Sequence, residues 1–156
     1  MTHPPHPIPS SEEGPERLSR HDLRGRKVDR DSFRDLKRIP IVLLLDGVVG
    51  SYNQGAIFRL ADAFLLEKVH FCHADIRPGH RRFSKAARGT FKWVPYAEGE
   101  STLEVISAYK SRGYQVVVVE QCLSAQPVWK TSFKWPLCLV LGAELSGVNE
   151  EIVRVA

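Results

Sequence analysis

IVLLLD, residues 41–46, is apolar until its last residue and runs into GVVGSYNQGAIFRLADAFLL at 47–66. So short an apolar run, followed by a glycine-bearing turn, predicts a strand buried on both faces, as in a parallel sheet. Over 53–66, apolar residues at 57, 58, 60, 61, 64 and 65 recur at helical spacing, and Asn53 stands where an N-cap is expected. The alternation continues down the chain. VHFC (69–72) reads as a second strand, and FKWVPY (91–96) as a third, ended by Pro95. STLEVISAYKSRG (101–113) has the Ser-x-x-Glu start of a capping box and a closing Gly113, which predicts a helix. YQVVVVE (114–120) and LCLVLG (137–142) read as two more buried strands, with a last helix from Val148 to Val155. Strands alternating with helices predict a doubly wound, mostly parallel α/β sheet.

The ends and the charge complete the outline. The first sixteen residues hold five of the ten prolines and no aromatic side chain, so they cannot bury enough apolar surface to offset their ordering entropy. Residues 17–38 carry nine basic and four acidic side chains with only sparse apolar ones. Together, 1–38 are expected to form a disordered, basic N-terminal extension, with a compact domain over 39–156. Within that domain, residues 77–92 hold Arg77, Arg81, Arg82, Lys85, Arg88 and Lys92 and no acid. The net charge of +4 on 156 residues is therefore modest but clustered. Clusters of this kind suit a polyanion such as nucleic acid, through counterion release, and equally describe a solvated basic loop.

There is no apolar run long enough to cross a membrane as a helix, and no apolar signal core near the start. Cysteines at 72, 122 and 138 lack C-x-x-C spacing. Reduced thiols in a cytoplasmic protein are expected, in place of a disulfide framework or a zinc ribbon. His70, His73 and His80 flank Cys72, but no second cysteine lies close and no metal site is expected there.

In doubly wound sheets, ligands bind beyond the carboxyl ends of the strands. Two loops there carry suitable residues. In the first, Asn53 and Gly55 open a helix whose free N–H groups suit an anion, with Gly55 allowing close approach of a ligand. Arg59, six residues past Asn53, lies among apolar neighbours, and its guanidinium suits either an anion or a salt bridge to Asp62 or Asp46. In the second loop, Gly142, Glu144 and Gly147 form G-x-E-x-x-G between a buried strand and a helix start. This is neither a dinucleotide turn nor a P-loop, and alone it marks only a strand-to-helix turn.

Taken together, N-x-G-x-x-x-R after a first strand and G-x-E-x-x-G about ninety residues later resemble the SpoU family of the SPOUT class. Its members are S-adenosylmethionine-dependent RNA ribose 2′-O-methyltransferases. KAARGTFKWVP (85–95) also resembles the family's segment before its middle strand, and the likeness covers roughly 41–152. The resemblance implies an α/β trefoil-knot fold, a rare exception to unknotted topology, and a homodimer with its active site near the interface. It implies catalytic roles for Asn53 and Arg59, and S-adenosyl-L-methionine binding by Gly142, Glu144 and Gly147. The basic residues of 77–92 and the 17–38 extension would lie along RNA, tRNA or rRNA, with phosphate contacts that position but do not specify. A guanidinium does not normally deprotonate. Arg59 is accordingly expected to pin a phosphate and stabilise the developing alkoxide rather than to act as base.

The family's third motif, an apolar strand and a Ser/Asn-rich turn, would follow the second, yet Ala156 ends the chain nine residues after Gly147. The expectation is a piece of a longer enzyme from which the knotted C-terminal element is missing. The main alternative is an RNA-binding module of the same fold without methyl transfer. A receiver- or flavodoxin-like domain using Asp46 lacks the acidic cluster and phosphate loop it would need. Trp93, Trp129 and Trp135 are candidates for base stacking, Trp93 foremost, though packing would equally explain each.

Overall fold

The computed structural model describes residues 36–155, and Ser19 and His21 before them. Most of the extension expected over 1–38 therefore lies outside the described residues. The compact unit contains β1 (Ile39–Asp46), α1 (Ser51–Ala63), β2 (Leu66–Cys72), α2 (Arg81–Ala87) and β3 (Tyr96–Glu100). It continues with α3 (Thr102–Ser111), β4 (Gln115–Val119), β5 (Leu137–Gly142) and α4 (Glu150–Arg154). The strands form one sheet in the order β3-β2-β1-β5-β4, with every pair parallel. This is the α/β fold the alternation of segments predicts. The threaded element of the expected knot is not among the described residues.

β1 lies at the centre of the sheet, which is why it has no polar face. Leu43 and Leu45 point into one apolar cluster with Phe58, Phe71 and Phe83, beneath α1 and α2. Val42 and Leu44 point the opposite way, into a second cluster with Val105, Ile106, Tyr109, Val140 and Ile152, beneath α3 and α4. The two-residue period of a strand thus feeds two cores at once.

Two expected features come out differently. The third strand is not 91–96: Thr90–Lys92 form a 3-10 turn, and β3 begins at Tyr96. Phe91 and Trp93 look like strand residues because they are apolar and alternate, but they pack against the α1–α2 cluster from a turn. The actual strand, YAEGE, is an edge strand with no fully buried residue, so it leaves no hydrophobic signature. Nor does Asn53 cap its helix. Gly50 takes the extended N-cap conformation (φ −67°, ψ 110°), and Asn53 lies inside α1 with its side chain released for other contacts. Ser101 is the N-cap of α3 as expected, but without a side-chain capping hydrogen bond.

Gly55 also has a different task from the ligand approach expected of it. It is buried, and a Cβ there would lie 2.6 Å from the carbonyl oxygen of Phe83 and 3.0 Å from the Cβ of Ala86. Its absent side chain lets α1 and α2 pack closely. Gly55→Ala is expected to destabilise the fold by about 1–3 kcal/mol, the usual range for overpacking. A lowered denaturant midpoint at unchanged slope would show this.

Candidate active site

In register, Asp46 at the end of β1 stands opposite Gly142 of β5 on one side and Cys72 of β2 on the other. The loops after β1 and β5 therefore leave the sheet together, at the carboxyl ends where ligands of such folds bind. Asn53 Nδ2 donates to Glu144 Oε2 at 3.4 Å, a long bond that joins the two loop motifs across 91 residues. Both side chains are exposed.

The 142–147 loop is held by close backbone approach. Gly147 N donates to Ala143 O at 2.9 Å, and these two residues form an isolated antiparallel bridge. A Cβ on Gly142 would overlap the backbone of Gly147 and Val148, so only glycine permits this closure. Gly147 has φ +66°, in the left-handed region that glycine adopts without strain. On the far side, Glu120 Oε2 accepts the N–H of Val148 at 2.8 Å and Oε1 that of Gln121 at 2.8 Å. Those two N–H groups, Val148 foremost, hold the Glu120 carboxyl below the usual carboxylate range.

Two clefts lie at this end of the sheet. One, of about 690 Å³, is lined by Asp46, Gly47, His73, Thr102, Gly147 and Asn149. The other, of about 760 Å³, lies against Glu120, Gln121, Cys122 and Trp129. Either volume suits a nucleoside-sized ligand. Asp46 is no free acidic site, since its carboxylate accepts from Thr102 Oγ1 at 2.6 Å and from Asn149 N at 3.4 Å. It ties the starts of α3 and α4 to β1. Gln54, next to Asn53, is wholly buried: Nε2 donates to Val48 O (2.9 Å) and Asp75 O (3.1 Å) and holds the loop after β1. Its Oε1 has no hydrogen-bond partner among the described residues. No spacing in the sequence marks Gln54 or Glu120, because each acts through backbone groups of a distant loop.

Arg59 is exposed and has no ion pair among the described residues. The salt bridges open to it from sequence do not form. Asp62 accepts Trp93 Nε1 at 2.6 Å, and Asp46 is engaged as above. Six residues along α1, Arg59 stands about 9 Å beyond Asn53 and about 120° round the axis. Asn53 and Glu144 meet, and Arg59 stands apart from them.

Segment 77–92 is more ordered than a basic loop. His80 Nδ1 accepts from Arg82 N at 3.2 Å and caps α2, whose Phe83, Ala86 and Ala87 are buried. Arg77, Arg81, Arg82, Lys85, Arg88 and Lys92 are all exposed, with no ion pair among the described residues. Trp93, the foremost stacking candidate, is instead half-buried against the α1–α2 core and bonded to Asp62. Trp129 and Trp135 are exposed.

His70, Cys72 and Cys138 are buried and structural. His70 is buried between Glu100 (Nδ1, 2.5 Å) and Tyr109 (Nε2, 3.0 Å), and burial, ahead of the opposing pull of Glu100, pushes its pKa down. Burial pushes the Cys72 thiol up to about 11 and that of Cys138 up to about 12, so neither is a thiolate near neutral pH.

The sequence model of the SpoU rRNA Methylase family matches residues 40–156. The tRNA (guanosine(18)-2'-O)-methyltransferase of Aquifex aeolicus is 27% identical over 116 residues, which are 74% of this chain and 54% of that protein. The 23S rRNA (guanosine-2'-O-)-methyltransferase RlmB of Ralstonia nicotianae is 32% identical, over 70% of this chain and 44% of that one. The chain spans about half the length of these curated relatives. Among solved structures, the A. aeolicus TrmH/SpoU tRNA modifying enzyme superposes with a TM-score of 0.67 at 26% identity, covering 80% of this chain and 62% of that one. An AdoMet-bound rRNA methyltransferase from Sinorhizobium meliloti gives 0.65 at 26% identity, covering 80% and 48%. With the family model matched over residues 40–156 and its two loop motifs side by side, the chain belongs to the SpoU rRNA methylase family.

Proposed function

We propose that this protein transfers a methyl group from S-adenosyl-L-methionine to a ribose 2′-hydroxyl of tRNA or rRNA, as a cytoplasmic homodimer with its active site near the interface. The observation that carries the reading is the Asn53–Glu144 contact, which joins the two loop motifs at the sheet's carboxyl ends. The relatives' names, which specify ribose methylation of tRNA or rRNA, support the substrate class. The three unpaired cysteines are in keeping with a reducing compartment.

The donor, when bound, supplies an electrophilic methyl on a sulfonium whose leaving group is a neutral thioether. The residues present fit it. The Gly142–Gly147 closure holds the turn in one shape beside a cleft of about 690 Å³ that Ala143, Ser146 and Gly147 help to line, which has nucleoside dimensions. In this reading the 142–147 backbone and Glu144 hold the donor, while Asn53 fixes Glu144. Arg59 binds an RNA phosphate and stabilises negative charge developing on the ribose oxygen, a task for a permanently charged donor fork. The six cations of 77–92 hold the RNA backbone, which sets register and makes binding salt-dependent. Orientation of the two reactants is then the main contribution to rate.

The test is to incubate the protein with methyl-tritiated S-adenosylmethionine and total tRNA or rRNA. Label is expected in RNA and in alkali-resistant dinucleotides, since a 2′-O-methyl group blocks cleavage at the modified ribose. Label confined to methylated bases would refute ribose transfer. RNA binding without any label would give the non-catalytic module instead.

A further inference from the structure

We propose that Glu120, at the end of β4, is a positioning residue of the methyl-donor site, holding the 142–147 loop in its donor-binding form through the Val148 backbone. The proposal rests on the reading of that loop as the donor site.

The sheet register delivers Glu120 to this place. Val119 of β4 pairs with Leu141 of β5, so Glu120 and Gly142 leave the sheet side by side. From there the carboxylate reaches across the turn. One oxygen accepts from Val148 N and the other from Gln121 N, each at 2.8 Å, so both oxygens are used and neither bond depends on a mobile side-chain donor. Gly147 lies directly against the carboxylate, and a Cβ there would overlap it. The loop is thus pinned from both sides: Glu120 presses it from β4, and Asn53 reaches Glu144 from α1. Charge-assisted bonds to backbone N–H are the stronger of these holds. The lowered pKa of the Glu120 carboxyl agrees with the same two contacts. Two adjacent glycine constraints make the position exacting, since Gly142 and Gly147 can approach only while the turn keeps this shape. An apolar or shortened residue at 120 leaves the Val148 N–H without its acceptor, and the loop loses its anchor on the β4 side.

The experiment compares the full-length wild type with Glu120→Ala and Glu120→Gln. Four quantities are read: donor Kd by calorimetry, tRNA or rRNA Kd, kcat at saturating donor, and hydrogen exchange of the peptide that contains Val148. Glu120→Ala is expected to weaken donor binding roughly 10- to 100-fold, as loss of a charged hydrogen bond does. RNA affinity should change less than about twofold, because the basic segment lies on and around α2 rather than on the loop. The kcat at saturating donor should fall as well, since the loop also orients the methyl donor. Exchange at the Val148 peptide should rise roughly tenfold, with β1 and β5 peptides unchanged. Glu120→Gln keeps the length and one acceptor and is expected to fall between, which rescues a positioning role and covers the case in which alanine does not fold. If wild type binds the donor and both variants bind it equally well, the proposal is overturned. A parallel loss of donor binding, RNA binding and global stability would also overturn it, reducing Glu120 to a general structural contact. A wild type that binds no donor would refute the reading of the loop itself, a separate outcome visible before any variant is compared.

Discussion

Arg59→Ala is expected to lower methyl transfer at least ~100-fold while leaving the fold and donor affinity in place. Removing one preorganised donor aimed at developing oxyanion charge has an effect on the order of 10²–10³ in rate. The fold should tolerate the change because the side chain is exposed on α1 and pairs with no acid among the described residues. Surface substitutions of this kind usually stay within about 0.5 kcal/mol of wild type. Arg59 also stands about a turn and two-thirds along the helix from Asn53, which contacts Glu144 of the loop proposed to hold the donor, so donor binding should not sense its loss. Steady-state kinetics with saturating donor, an unchanged melting temperature and an unchanged donor Kd would together give the expected pattern. Lysine at the same position should restore charge but not the planar fork, and so recover only part of the rate. Unchanged turnover in Arg59→Ala would remove this residue from the mechanism.

The exposure of Arg59 also shows where reading the sequence stops. Its neighbours Ile57, Phe58, Leu60 and Ala61 are apolar, which makes a buried, paired guanidinium a reasonable expectation. Yet only Phe58 and Ala61 of these are fully buried, while Leu60 is 55% exposed. Apolar content along a helix does not by itself fix which face is covered. β1 was legible because a central parallel strand must be apolar on both faces, whereas β3, at the sheet edge, had no such requirement. The glycines of the second loop were legible as a pattern, but the reason for each was not. Gly142 is fixed by the approach of Gly147, Gly147 by its positive φ and by Glu120, and Gly55 by the backbone of α2. Those are contacts between segments far apart in the chain. Asn53 illustrates the same point, since its motif position is apparent locally but its partner Glu144 is 91 residues away.

Gly142→Ala is expected to be the most damaging single substitution in the second loop, lowering stability by about 3 kcal/mol, near the upper end for overpacking. That loss corresponds to a melting temperature lower by roughly 10 °C for a domain of this size. The added methyl would overlap the carbonyl carbon and oxygen of Gly147 and the nitrogen of Val148. All are backbone atoms, so no side-chain rotation relieves the contact, and the end of β5 and the turn must separate. Separation also breaks the bond from Val148 N to Glu120 and disturbs Asn149 N against Asp46. Donor binding should therefore be lost even under conditions where the sheet survives. Gly147→Ala is expected to be milder in stability, since the left-handed conformation costs about 1–2 kcal/mol and its methyl meets a carboxylate that can swing aside. Gly79→Ala, with nothing within 4 Å of the added carbon, should be neutral. Denaturant midpoints for the three variants, with donor binding measured on each, would test this order. Equal effects at 142 and 79 would mean that the backbone approach at Gly142 does not constrain the loop.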